Sequence, residues 1–152
     1  MDKKLVFSKK NIWMGIISGV LAGIIFGFIM IKTGAFDEFA ELLGRMNAFS
    51  VFLMHILYTA VLGVIFAIAF YQVGTDFFHC IMGGIVYGVI WWFLGNLTIA
   101  PLMMGYSVSW DYQTMLEAFP MLIGYLVFGL SLGIIYYCGR RGQDLSKSAL
   151  VK

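Results

Sequence analysis

Between Asp76 and Asp111 the chain carries no Asp, Glu, Lys or Arg. A run of that length crosses a bilayer, for which roughly 20 apolar residues suffice. Inside it Gly84 and Gly88 form a G-x-x-x-G pair on one helix face. Trp91 and Trp92 follow, then the polar Asn96 and Thr98, then Pro101. Close-packing glycines, large aromatics, buried polar groups and a helix breaker occur together nowhere else in the sequence.

The rest of the chain repeats the theme. Hydrophobic residues make up 61% and charged residues 12%, against roughly 25% charge in a soluble domain. A basic N-terminal segment precedes an apolar run from Asn11 to Ile31. That run is too long for the apolar core of a signal peptide, and no small-x-small cleavage site follows it, so it reads as a retained span. Further spans fall at about 50–71, 77–100 and 118–138. Between the first two, Phe36, Phe39, Ala40 and Leu43 are spaced as a short amphipathic helix over about 36–45, lying at the interface. A tight turn is expected at 72–76 around Gly74, and a polar, aromatic loop at 106–117. The expectation is an all-α polytopic membrane protein, a single domain of four transmembrane helices.

Basic residues set the orientation. Lys3, Lys4, Lys9 and Lys10 lie before the first span, and Arg140, Arg141, Lys147 and Lys152 after the last. The long loops hold only Lys32 and Arg45, among five acidic residues. The positive-inside rule puts both termini in the cytoplasm. Trp13, Tyr71, Tyr106, Trp110, Tyr136 and Tyr137 fall near the expected interfaces, where aromatic belts lie.

An internal repeat is visible. Ser18-Gly19-x-x-x-Gly23 matches Gly83-Gly84-x-x-x-Gly88 at an offset of 65 (Gly19 to Gly84). Gly63-x-x-x-Ala67-x-x-Phe70-Tyr71 matches Gly129-x-x-x-Gly133-x-x-Tyr136-Tyr137 at an offset of 66 (Gly63 to Gly129). Two helical hairpins in tandem follow, a parallel repeat about an axis along the membrane normal. The glycines have a physical task. Lipid is as apolar as leucine, so membrane helices gain most by close backbone approach. Gly15, Gly19, Gly23 and Gly27 in the first span, Gly84 and Gly88 in the third, and Gly129 and Gly133 in the fourth supply such faces. They pack the bundle, or one stripe faces outward and forms a homodimer.

Chemistry-bearing groups are few. No charged residue lies within a predicted span, which weakens a proton relay or an ion-coupled carrier. His55, Tyr58 and Thr59 on the second span and Asn96 and Thr98 on the third lie in the outer half. Pro101 ends or kinks the third helix. These groups line a small outward-facing polar pocket, or they form a plain hydrogen-bond network between helices. His79 lies at the opposite side of the membrane from His55, so the two cannot ligate one haem. Methionines also gather outward. Met54-His55 and Met103-Met104 are soft candidate ligands for Cu(I), although thioethers more often serve as adaptable packing. Cys80 and Cys138 fall at cytoplasmic helix ends, where thiols stay reduced. No phosphate-binding loop, dinucleotide fingerprint, zinc-protease motif or nucleophile elbow is present. The basic residues sit at membrane edges, which argues against nucleic-acid binding. No cofactor is implied.

His55-Ile56, Val64-Ile65-Phe66-Ala67, Gly83-Gly84 and Pro101-Leu102-Met103-Met104-Gly105 together resemble the YagU-like group of bacterial inner-membrane proteins. The resemblance implies a bacterial inner-membrane location and carries over no catalytic residue. Two function classes follow. One is a non-enzymatic structural or accessory protein, self-associating or part of a larger membrane complex. The other is a small transporter or channel using the His55, Asn96 and Thr98 region. An enzyme acting on lipid comes third, for want of a nucleophile–base pair.

Overall fold

The apolar runs are helices in the computed structural model, which describes residues 6–44, 46–71 and 76–150. Among the described residues the chain is all-helical, with no strand. Helix α1 spans Lys9–Thr33, α2 Ala35–Leu42, α3 Ala48–Ala69 and α4 Phe77–Trp91. The chain then widens into a π-helix, Trp92–Ile99, and closes with one α-turn, α5, at Ala100–Met103. The last helix, α6, runs from Tyr112 to Leu150. Four helical stretches are long and apolar enough to cross a membrane: Lys9–Thr33, Ala48–Ala69, Phe77–Met103 and Tyr112–Gly142. The chain is therefore an integral membrane protein.

Side-chain caps set the helix starts. Ser8, Asn47 and Asp76 each accept from the backbone N–H three residues on, at 3.3, 3.0 and 2.9 Å. Asp111 does the same for Thr114 at 2.9 Å, which starts α6 at Tyr112. The expected loop at 106–117 is thus helical over its second half, because an Asp N-cap satisfies an amide that would otherwise be orphaned. The Ser109 hydroxyl and the Thr114 amide hold the Asp111 carboxyl below its ordinary pKa, since both bond to its charged form. Helix α2 ends at Leu42, earlier than the expected 36–45. Gly44 there turns left-handed at φ 76°, and its N–H bonds back to the Glu41 carbonyl. Arg45 and residues 72–75 of the turn expected at 72–76 lie outside the described residues.

Glycines decide which helices touch. Helix α1 packs closely on α3, α4 on α6, and α1 on α6. A methyl group added to Gly63 would stand 2.7 Å from the Gly19 Cα. One added to Gly129 would stand 2.9 Å from the Gly84 carbonyl carbon and 3.0 Å from the Gly88 nitrogen. Gly15 faces Gly63 and Ala67, and Gly133 faces the Cys80 backbone. Positions that match at the 65–66 offset therefore make matching contacts within each hairpin. Contacts between the hairpins differ. Helices α3 and α4 stand farther apart than α1 and α6, and aromatic side chains span the space. Tyr87 packs edge-on against Phe66 at 5.2 Å, and Trp91 against Tyr58 at 6.2 Å.

The end of the bundle carrying Lys9 and Arg140 is closed by polar groups. The last carbonyls of α3 have no partner within their own helix. Asn11 Nδ2 donates to the Ala67 carbonyl at 3.0 Å and to the Val6 carbonyl at 2.8 Å. The Tyr136 hydroxyl donates to Asn11 Oδ1 at 2.8 Å. Arg140 donates to the Tyr71 carbonyl at 2.7 Å and lies over the Tyr71 ring. A cation there also favours the negative end of the α3 dipole.

Candidate functional site: a cavity at the loop end

At the opposite end the helices do not close on one another. Pro101 stands at that end. It has no N–H to continue the ladder, and its ring crowds the carbonyl of Leu97. Here the helix continues past it for one turn, and the chain before it is π-helical. The Thr98 hydroxyl bonds inside that wide turn, to the Phe93 carbonyl at 3.0 Å. Gly105, at φ 79°, ends the turn, and the Tyr106 N–H reaches the Pro101 carbonyl at 2.9 Å. Such π-segments recur at functional sites.

Beside this segment lies a cavity of about 390 Å³, within the roughly 300–1,000 Å³ range of small-molecule sites. Ala35, Phe39 and Leu42 of α2 form its roof. The amphipathic helix thus turns its apolar side inward and leaves Asp37 exposed. Met54 and Tyr58 form the α3 wall, and Met121 and Tyr125 the α6 wall. Gly95 and Asn96 belong to the floor, and Ile99 and Met103 to the rim. Met54, Ile99 and Met103 are also exposed, as are Met104 and Tyr106 nearer the loop, so large apolar side chains frame the open side of the cavity.

Polar groups converge on Gly95. A methyl group built there would stand 3.3 Å from the Tyr125 hydroxyl and 3.5 Å from the Tyr58 hydroxyl. Tyr125 is only 8% exposed, with its ring 5.0 Å from that of Phe26. Tyr58 lies ten residues into α3, roughly 15 Å below its first turn at 1.5 Å per residue. A helical side chain leans back toward the N-terminal turn, so the floor lies in the loop-end half of the bundle. Asn96 borders a second cleft of about 400 Å³ as well, shared with Thr33, Thr114 and Glu117.

Of the residues singled out in the sequence, Tyr58, Asn96 and Pro101 meet at this cavity, and His55, Thr59 and Thr98 do not line it. His55 is 2% exposed, and its Nε2 lies 2.9 Å from the Gly23 carbonyl oxygen. That oxygen only accepts, so Nε2 carries the proton. Thr59 bonds to the Ile56 carbonyl at 3.0 Å and packs against Gly23. The reason is lateral direction. Residue counting puts His55 and Asn96 at one depth, but His55 projects toward α1. Met54, Met103 and Met104 all border the cavity. Tyr125 and Gly95 escaped the sequence reading. The one available signal is Tyr125's place in the repeat, 66 residues after Thr59, where each of the two faces a glycine (Gly23 and Gly88).

No protein-family model matches the chain, and neither does any curated protein or solved structure.

Proposed function

We propose that this chain is a non-enzymatic membrane protein with a structural or accessory role, self-associating or seated in a larger membrane complex. One observation carries the reading. Three of the polar side chains inside the bundle are bonded to backbone carbonyls of neighbouring helices. His55 bonds Gly23, Tyr87 bonds Leu62 at 2.6 Å, and Trp92 bonds Ala118 at 3.0 Å. They hold helices together, as the glycine contacts do. The matching hairpin contacts support a tandem duplication. The basic ends support cytoplasmic termini, and the resemblance to YagU-like proteins supports a bacterial inner membrane. Native mass spectrometry of the tagged chain, released from its own membrane in mild detergent, tests the role. A species of fixed stoichiometry heavier than the 17.0 kDa chain is expected. A bare monomer at every detergent concentration overturns it.

The cavity favours a second reading, a small transporter or channel with an outward-facing polar pocket. Phe66, Tyr87, Phe128 and Leu132 are buried in the core, so passage needs a second conformation. On this reading Asn96→Cys, in a chain lacking Cys80 and Cys138, reacts with a membrane-impermeant thiol reagent added from outside. Protection of that cysteine excludes it.

A further inference from the structure

We propose that the cavity beside Gly95 is a binding site for a neutral, lipid-soluble molecule with an apolar body and a carbonyl or hydroxyl head. This goes beyond both readings above and requires neither assembly nor transport.

Four observations carry it. The Tyr125 side chain is more than nine-tenths buried and borders the cavity; no hydrogen bond joins its hydroxyl to another described residue, and that oxygen is open to the cavity rather than enclosed as the unpartnered Ser18 Oγ is. A hydroxyl at that depth calls for a partner, because an unpaired polar group in an apolar medium costs a few kcal/mol. Second, the Tyr58 hydroxyl comes to the same spot from the opposite wall, and Gly95 leaves open the space that a side chain would fill between them. Two donors facing one small gap suit a single acceptor oxygen. Third, the remaining wall is apolar and methionine-rich. Thioether side chains adapt to apolar bodies of varied shape. Met54, Ile99 and Met103 at the open side are exposed apolar side chains within or beside spanning helices, which gives the body a route in from the bilayer. Fourth, no Lys or Arg among the described residues lines the cavity, and Glu38 stands at its edge. A phosphate or carboxylate head would sit among mostly apolar side chains with no described counter-charge, which is costly. A neutral head meets no such penalty.

Binding is geometric, with no covalent step. The head oxygen accepts from Tyr58 and Tyr125, the Asn96 amide offers a third contact, and the body lies along Met121 and leaves past Met103. Roof helix α2 covers it.

A diazirine-bearing long-chain fatty alcohol and the fatty acid of the same chain length, applied to the full chain in phosphatidylcholine nanodiscs, test the proposal. Labelled residues are mapped by mass spectrometry. The alcohol is expected to label the peptides holding Met54 and Met103 saturably, with displacement by unlabelled alcohol, and about tenfold more than the acid does. Labelling at Ile17 and Leu21, on the exposed face of α1, is expected to be non-saturable. The double variant Tyr58→Phe/Tyr125→Phe keeps the shape and removes both donors, and saturable labelling should fall about tenfold. The two single variants serve in its place if the double variant has lost its thermal transition. Non-saturable labelling at Met54 and Met103 overturns the site. Equal or stronger labelling by the acid overturns the neutral head. Unchanged labelling in folded phenylalanine variants overturns the role of the hydroxyls.

Discussion

Gly63→Ala and Gly129→Ala will each destabilise the bundle by about 2 kcal/mol, and by similar amounts. An alanine in a helix is ordinarily worth roughly 0.5–1 kcal/mol over glycine, so the sign is informative. At Gly63 the added methyl meets the Gly19 Cα at 2.7 Å and its nitrogen at 2.8 Å. At Gly129 it meets the Gly84 carbonyl carbon at 2.9 Å. Those neighbours are backbone atoms and cannot rotate away, so the helices must separate. Separation forfeits the dispersion contacts that hold membrane helices together. Gly142, by contrast, has nothing within 4 Å of such a methyl. Gly142→Ala should therefore leave stability unchanged or raise it. Thermal unfolding in one detergent compares all three. If Gly142→Ala costs as much as the other two, close approach is not what those glycines provide. Unequal losses at Gly63 and Gly129 would count against the proposed tandem duplication.

Asn11→Leu will cost about 3 kcal/mol, since its amide serves three helices at once. It bonds the Val6 and Ala67 carbonyls and accepts from Tyr136. Asn11 is 5% exposed and Tyr136 fully buried. A leucine there strands groups that are shielded from solvent, at roughly 1–3 kcal/mol for each unsatisfied one. Tyr136→Phe will cost less, about 1 kcal/mol, because it removes a donor and leaves the Asn11 amide in place. The double variant should lose little more than Asn11→Leu alone, as expected for side chains sharing one network. Unfolding of the three variants in detergent gives the comparison. Strict additivity would show that Asn11 and Tyr136 act separately.

Much of this architecture is legible in the residues. Charge-free runs separated by acidic and polar segments place four spanning helices, because hydrocarbon tolerates a backbone only when its amides and carbonyls are bonded internally. The boundaries move where local capping intervenes, as at Asp111, which begins α6 six residues before the expected start. The spacing of Gly15, Gly19 and Gly23 marks a face for close approach, and that face lies on α3. Helical periodicity alone finds such a face, since positions four apart stack on one side.

Direction around each helix is what sequence leaves open. Counting residues puts His55 and Asn96 at one depth. Which neighbour each side chain meets depends on how the helices are rotated and on which pairs come close. Rotation is set by the glycine contacts of α1 with α3 and of α4 with α6. Those contacts turn His55 onto the Gly23 carbonyl and bring Tyr58 and Tyr125 from opposite walls toward Gly95. Helices α3 and α4 are held apart by the bulk of Tyr87, Trp91 and Phe66, and the π-helical widening before Pro101 shapes the floor at Gly95 and Asn96. The sequence by itself determined the membrane class, the number of spans, their polar ends and the packing faces, because each follows from local composition and period. The cavity and the company each polar side chain keeps were decided only by tertiary structure, because they arise where helices distant in sequence fail to close on one another.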